Sequence, residues 1–519
     1  MLALPFGWNT NKALLVFFNV LAGVVLIALS FTKTLPLDPV NFIFFSFVGF
    51  LLALYRPGWI FLFLIGMLPY EIVNIAPENL GVMIRPYQWL LVLVTLALLA
   101  RFALKRFPMQ KFMPNVWDGL LIIFGASSFF SALASADRQT ALKFSMILFS
   151  FILLYFLCRV FVRNLDDARM LLPFLFSSFL VIACYAILQN ILFLGDLKSL
   201  EVMAGRPNAT FAEADWLGGY LAIMLVAVSA LSVSPPFIDR YSPFKLERRV
   251  FSVLMFLGFI ALIISVSRSA WLSVFAGIAS VFFLGFLKTQ ANRETGIAIL
   301  RVIAPLLLAL SAVYLLHLTT FDIFDRGQSV TSGKQKITIA CARVVALPET
   351  ISDVAELANY DCEHIRLEDI AAKETAGAYV TEIWRADPNV NTRWNIYKKV
   401  TGVLKEHWFF GIGFGMIADH LGTDGRGAGL NASNLFLEAW LGSGIVGFLA
   451  FAIFWFGLGW RWLSLGFQKH SSPAIALGSA WIAVTVFNLF NSGLFLGWFF
   501  VMLAFFLMAY QNDELSDSV

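Results

Sequence analysis

Long apolar blocks recur along the whole of this 519-residue sequence. A helical block of about 20 apolar residues crosses about 30 Å of hydrocarbon. Within lipid only helices and closed barrels satisfy their own backbone polar groups. Apolar residues make up 59% of the chain and charged residues 13%, against roughly 25% charged in a soluble domain. That balance excludes a soluble globule, a disordered chain, a fibrous repeat and a nucleic-acid-binding domain. The expected fold class is all-α, a polytopic transmembrane helix bundle of about 14 spans with one large extracytoplasmic loop.

The spans run from 14–31 to 492–510 and include 58–75, 472–489 and an adjoining pair at 250–267 and 269–287. Residues 1–318 hold the first eleven, 319–434 form the loop, 435–511 hold the last three, and 512–519 form a polar tail expected to fray. No small-residue cleavage site follows the first span, which reads as an uncleaved anchor. Alternate ends of the spans carry unequal numbers of Lys and Arg. One set has seventeen, among them Arg101, Lys105, Arg106 and Lys111; the other, leaving out the long loop, has Lys33, Arg85, Arg138, Lys143, Lys198, Arg206 and Arg268. The richer set belongs in the cytoplasm. Both termini are then cytoplasmic and the loop faces outward.

The loop alone has a near-soluble composition. Its part 331–385 is expected to form a small helical subdomain. Residues 392–409 place Trp394, Tyr397, Thr401, Leu404 and Trp408 on one helical face, the pattern of an amphipathic helix lying at the membrane interface. Cys341 and Cys362 lie in this loop and can pair if it is outside the cell; their spacing leaves the pairing open.

Charge near hydrocarbon is costly and points to a partner or a wet cavity. Arg206, Arg268 and Arg393 all fall on the outward side. Together they suit a diphosphate, which a guanidinium fork binds through two parallel charge-assisted hydrogen bonds. Each also has an ordinary reading: solvation for Arg206, a structural ion pair for Arg268, headgroup contact for Arg393. Arg85 reads as a headgroup anchor. Glu213, Asp215, His420 and Glu438 are candidate proton acceptors, with ion pairing, helix N-terminal placement or simple solvation as their alternatives. The run GIGFG, with Gly413 at its centre, permits a tight re-entry into the bundle. Asn431, Ser433 and Asn434 are candidate caps and hydroxyl-binding groups. No paired-histidine, CxxC or HExxH pattern is present, so neither metal nor cofactor is implied.

Four segments occur in a meaningful order: RPNATFAEADWLGGYLA (206–222), SVSRSAWL (265–272), TRWNIYKKV followed by HWFFGIGFG (392–415), and NASNLFLEAWLGSGIVG (431–447). With one long loop near the end of the bundle, they resemble the O-antigen ligase and O-antigen polymerase superfamily. The resemblance implies a glycosyltransferase that moves a glycan from an undecaprenyl diphosphate-linked donor to a saccharide or lipid-linked saccharide acceptor, in contact with membrane lipids and polysaccharide assembly proteins. It implies Arg206, Arg268 and Arg393 as diphosphate contacts and Ser433, Asn434 and Gly413 as acceptor- or loop-positioning residues. The family often has His-Asn where this chain has Ser433-Asn434, and the departure favours a repeat-unit polymerase over a ligase attaching glycan to lipid A core. A lipid-linked glycan flippase or transporter and a non-catalytic scaffold are the other readings.

Overall fold

The computed structural model describes residues 10–105, 114–233, 248–286, 293–321, 334–352, 354–365, 370–386, 388–423, 429–469 and 472–517. Among the described residues, eleven α-helices precede the long insertion: α1 (Thr10–Phe31), α2 (Pro39–Tyr55), α3 (Pro57–Gly66), α4 (Pro86–Ala103), α5 (Val116–Ala134), α6 (Arg138–Phe161), α7 (Leu165–Leu194), α8 (Ala214–Val233), α9 (Arg248–Ile264), α10 (Arg268–Phe286) and α11 (Arg293–Leu315). The insertion contains β1 (Lys334–Cys341), β2 (Thr350–Ile351), β3 (Cys362–His364), α12 (Ile370–Thr375), β4 (Tyr379–Ala386), α13 (Pro388–His407) and α14 (Ile417–Leu421). Three more helices close the bundle: α15 (Leu435–Lys469), α16 (Ser472–Asn488) and α17 (Gly497–Asp517). Every expected span therefore has a helix. Among the described residues nine helices are long and apolar enough to cross a membrane, and the chain is a multi-pass membrane protein.

Local sequence starts these helices where the apolar runs begin. Asp38 Oδ1 accepts the N–H groups of Val40 and Asn41 at the head of α2, and Asp137 Oδ1 those of Gln139 and Thr140 at the head of α6. Asn115 and Asn164 cap α5 and α7 in the same way. Each side chain satisfies N–H groups that have no partner inside the helix. In the core, Trp455 stacks on Phe499 at 5.4 Å and Phe151 on Phe500 at 5.4 Å. Phe17, Phe44 and Phe275 remain more than half exposed, as side chains facing lipid do.

Several expectations change. The span expected at 58–75 is helical only to Gly66; residues 67–77 continue as irregular, largely buried backbone, and an exposed 3-10 turn at Glu78–Leu80 follows before α4. Pro69 and Pro77 interrupt any helix there. Arg85 is not a headgroup anchor: its guanidinium pairs with the buried Glu71 at 2.9 Å, and Tyr87 donates to the same carboxylate at 3.1 Å. The other Glu71 oxygen accepts the Gly497 N–H at the head of α17. The span expected from 492 begins only at Gly497, which leaves 489–496 as a non-helical loop. The tail expected to fray continues α17 as far as Asp517.

The expected helical subdomain at 331–385 is instead built on a four-stranded sheet in the order β2-β4-β1-β3. Strand β1 runs antiparallel to β3 and β4, and β2 runs parallel to β4. Ile337, Ile339 and Cys341 alternate inward with a period of two, the strand signal that the helical expectation overlooked. Cys341 faces Cys362 across β1 and β3, and the two form a disulfide. Helix α13 buries Ile396, Val400 and Leu404 and exposes Trp394 (60%); Trp408, just past its end, is also exposed (53%).

Candidate functional site

The 206–213 segment enters the bundle without being helical. Its polar groups need partners at every step, and Gln189 on α7 supplies two by accepting the N–H groups of Asn208 and Ala209. Asn208 accepts the Val202 N–H and donates to the Phe211 carbonyl, while the Thr210 hydroxyl donates to the Pro69 carbonyl. This frame holds Arg206 half-buried, with Nη2 3.1 Å from Asp215 Oδ1 and Nε 3.1 Å from the Ser265 carbonyl. Ser265 belongs to the tight turn between α9 and α10, three residues before Arg268. Arg206, Asp215 and the Arg268 turn therefore meet. Glu213 caps the head of α8 through its carbonyl, which accepts the Leu217 N–H.

The 489–492 loop connects the remaining pieces. Arg393 donates to the Phe490 carbonyl at 3.4 Å and lies over the Phe490 ring at 5.4 Å. Tyr397, one turn along α13, donates to the Leu489 carbonyl; burial raises its phenol pKa, with Arg393 opposing. Asn434 caps α15 by accepting the Phe436 and Leu437 N–H groups and donates to the same Leu489 carbonyl. Asn491 donates to the Ser269 hydroxyl beside Arg268 at 2.8 Å. Glu438 is buried near Ser492 and the Ala432 N–H. Its Oε2 atom and the Ser492 hydroxyl lack hydrogen-bond partners by geometry. Ser433 adopts a positive φ of 49°, and its N–H donates to Asn431 Oδ1. The sequence reading missed this loop because it placed Ser492 at the start of a span. The cluster of Asn488, Asn491 and Ser492 between apolar blocks was the available signal.

Two candidates stand elsewhere. His420, exposed on α14, has its ring 6.1 Å from that of His407. His407 and Arg393 sit at opposite ends of α13, about 21 Å apart at the rise of a helix. Gly413 belongs to a re-entry segment at a break in α15. The N–H groups of Ile412 and Gly413 donate to the Leu441 carbonyl, and Ile445 N–H donates to the Phe409 carbonyl. Gly444, at φ 67° and ψ −176°, provides the break.

Glu201 was also missed. It is half-buried in the loop before Arg206 and accepts the Gly205 N–H at 3.0 Å. Burial raises its carboxyl to about 7, with that hydrogen bond opposing.

Residues 253–452 match the family model described as O-Antigen ligase. This region of the chain is thus similar to the O-antigen ligase family. The matched O-antigen ligase region runs from α9 into α15 and takes in Arg268, the insertion, Arg393, the re-entry segment and Glu438. Arg206, Asp215 and the 489–492 loop are added by neighbouring elements. That similarity supports glycan transfer of the O-antigen ligase and polymerase type in general, on lipid-linked glycans in a membrane. Comparison with curated proteins and with solved structures finds no match.

Proposed function

We propose that this chain transfers a glycan from an undecaprenyl diphosphate-linked donor to a sugar acceptor, as a repeat-unit polymerase working at the periplasmic face of a bacterial inner membrane. The observation that carries this reading is the chain of contacts joining Arg206, the Arg268 turn, Arg393 and the 489–492 loop. Attack of an acceptor hydroxyl on the anomeric carbon breaks the bond to the diphosphate-lipid, whose oxygens gain negative charge. Fixed guanidinium groups stabilise that charge in the transition state without a metal. Attack from the face opposite the leaving group inverts the anomeric centre.

The acceptor hydroxyl must also lose its proton. Among Glu213, Asp215, His420 and Glu438, the best placed is Glu438. It sits one turn beyond Asn434, beside the loop that receives Arg393, with one buried carboxylate oxygen that has no hydrogen-bond partner in the fold. Asp215 is occupied by Arg206, and His420 lies at the far end of α13 from Arg393. Ser433 and Asn434 form the rim on which an acceptor sugar would rest.

A ligase attaching glycan to lipid A core is the second reading, favoured by the description of the matched family model. Purified protein given a defined undecaprenyl diphosphate glycan and competing acceptors separates the two by product: lengthened lipid-linked repeats, or glycan joined to a core saccharide. Arg268→Ala and Arg393→Ala should each reduce transfer by at least about 100-fold, the loss of one transition-state contact, with expression and melting temperature preserved. Full activity in both variants would overturn the arginine mechanism, and donor movement across liposomes without turnover would favour a flippase.

A further inference from the structure

Helix bundles are close-packed, so a long half-open apolar cavity between helices asks for an occupant. A cavity of about 180 Å³ lies between α7, α8, α16 and α17. Its wall on α8 runs from Tyr220 through Ile223, Met224 and Ala227 to Leu231, a single stripe at helical spacing about 16 Å long. So small a volume drawn out over that length has the shape of one hydrocarbon chain. The lining is almost wholly apolar, and Ala227, Ala476 and Ala480 provide the room.

Polar residues border the cavity in two places, Arg169 near the start of α7 and a pair of donors near the heads of α8 and α17. Tyr220 and Trp498 border the cavity at the ends of α8 and α17 nearer the insertion, and they are only 3% and 6% exposed. Neither the Tyr220 hydroxyl nor the Trp498 Nε1–H has a hydrogen-bond partner. Both are donors, and buried donors call for an acceptor. The neighbouring lining residue Pro69 is tied through its carbonyl to Thr210 in the Arg206 segment, so this end adjoins the frame of the candidate site.

We propose that the cavity binds the hydrocarbon chain of a membrane lipid, with an oxygen at the head of the chain accepting hydrogen bonds from Tyr220 and Trp498. An ester carbonyl of a phospholipid and the phosphate-ester oxygen of a polyprenyl phosphate share this chemistry. The site stands whether or not the chain transfers glycans.

The test uses full-length purified protein and two photoreactive probes, a phosphatidylglycerol labelled in its acyl chain and a labelled polyprenyl phosphate. Crosslinks are expected within 220–231 and 498–506, and competition by the unlabelled lipids identifies the source. Ala227→Phe fills the cavity and should reduce labelling about tenfold, the effect of roughly two lost methylene contacts. Tyr220→Phe keeps the volume, removes one donor and should reduce labelling about threefold to tenfold, which keeps the test decisive if the filled variant does not fold. Arg268→Ala should leave labelling unchanged even where transfer is lost. Labelling confined to other helices, or unaffected by both cavity substitutions, or a cavity holding water alone, would overturn the proposal.

Discussion

Burial lifts the Glu201 carboxyl to about 7, and the Gly205 N–H opposes the shift without cancelling it. The sign follows from proton counting. Between about 4.5 and 7 the folded chain binds more protons at this position than the unfolded chain, so stability falls as pH rises through that window. Glu201→Gln removes the ionisation. Its melting temperature should match wild type below pH 4.5 and exceed it at pH 8, as thermal unfolding across pH 4 to 9 would record. A constant difference across that range would refute the assignment. Arg85 teaches a related lesson at the same scale. Its position at a helix head suggested solvent or headgroups, yet its partner Glu71 lies 14 residues earlier within irregular backbone. No local pattern joins the two, because a folded contact brings them together. Arg206 differs: Asp215 lies nine residues away in the same short segment, and that pairing was legible.

Among the elements, α15 shows how irregular backbone survives inside a bundle. The helix breaks at Gly444, and the re-entry segment repairs the break with backbone hydrogen bonds in both directions. Non-helical backbone at this depth is tolerated only where protein satisfies its polar groups. A Cβ at position 444 would overlap the Phe409 carbonyl oxygen, and φ 67° disfavours any L side chain. Gly444→Ala is therefore expected to cost at least about 2 kcal/mol, measured by denaturant or thermal unfolding in detergent, whereas Gly402→Ala, which meets nothing on exposed α13, should be neutral or mildly stabilising. The sequence foretold a tight re-entry at GIGFG but not its receptor, since composition says nothing about where a continuous apolar helix opens. The same limit applied to 334–386, where alternation over a few residues competes with helical spacing until strand partners are known.

For the whole molecule, the Lys and Arg asymmetry predicts that the insertion faces the periplasm and both termini face the cytoplasm. Protease added to right-side-out vesicles should cleave within 334–386 and spare both termini; inside-out vesicles should give the reverse. Cleavage of the insertion only from the cytoplasmic side would invert the proposed orientation and remove the periplasmic donor from reach.

Hydrophobic block length by itself determined that this is a membrane helix bundle, because the cost of exposing backbone to lipid admits few alternatives. The ordered segments at 206–222, 265–272, 392–415 and 431–447 were enough to point to the superfamily. Tertiary structure alone decided which groups meet. The 489–492 loop receives Arg393 and adjoins Glu438, Glu71 neutralises Arg85, and His420 lies apart with His407. The physical reason is that apolar burial is additive along a chain, whereas ion pairs and hydrogen bonds depend on distances of about 3 Å between residues that the sequence separates by tens or hundreds of positions.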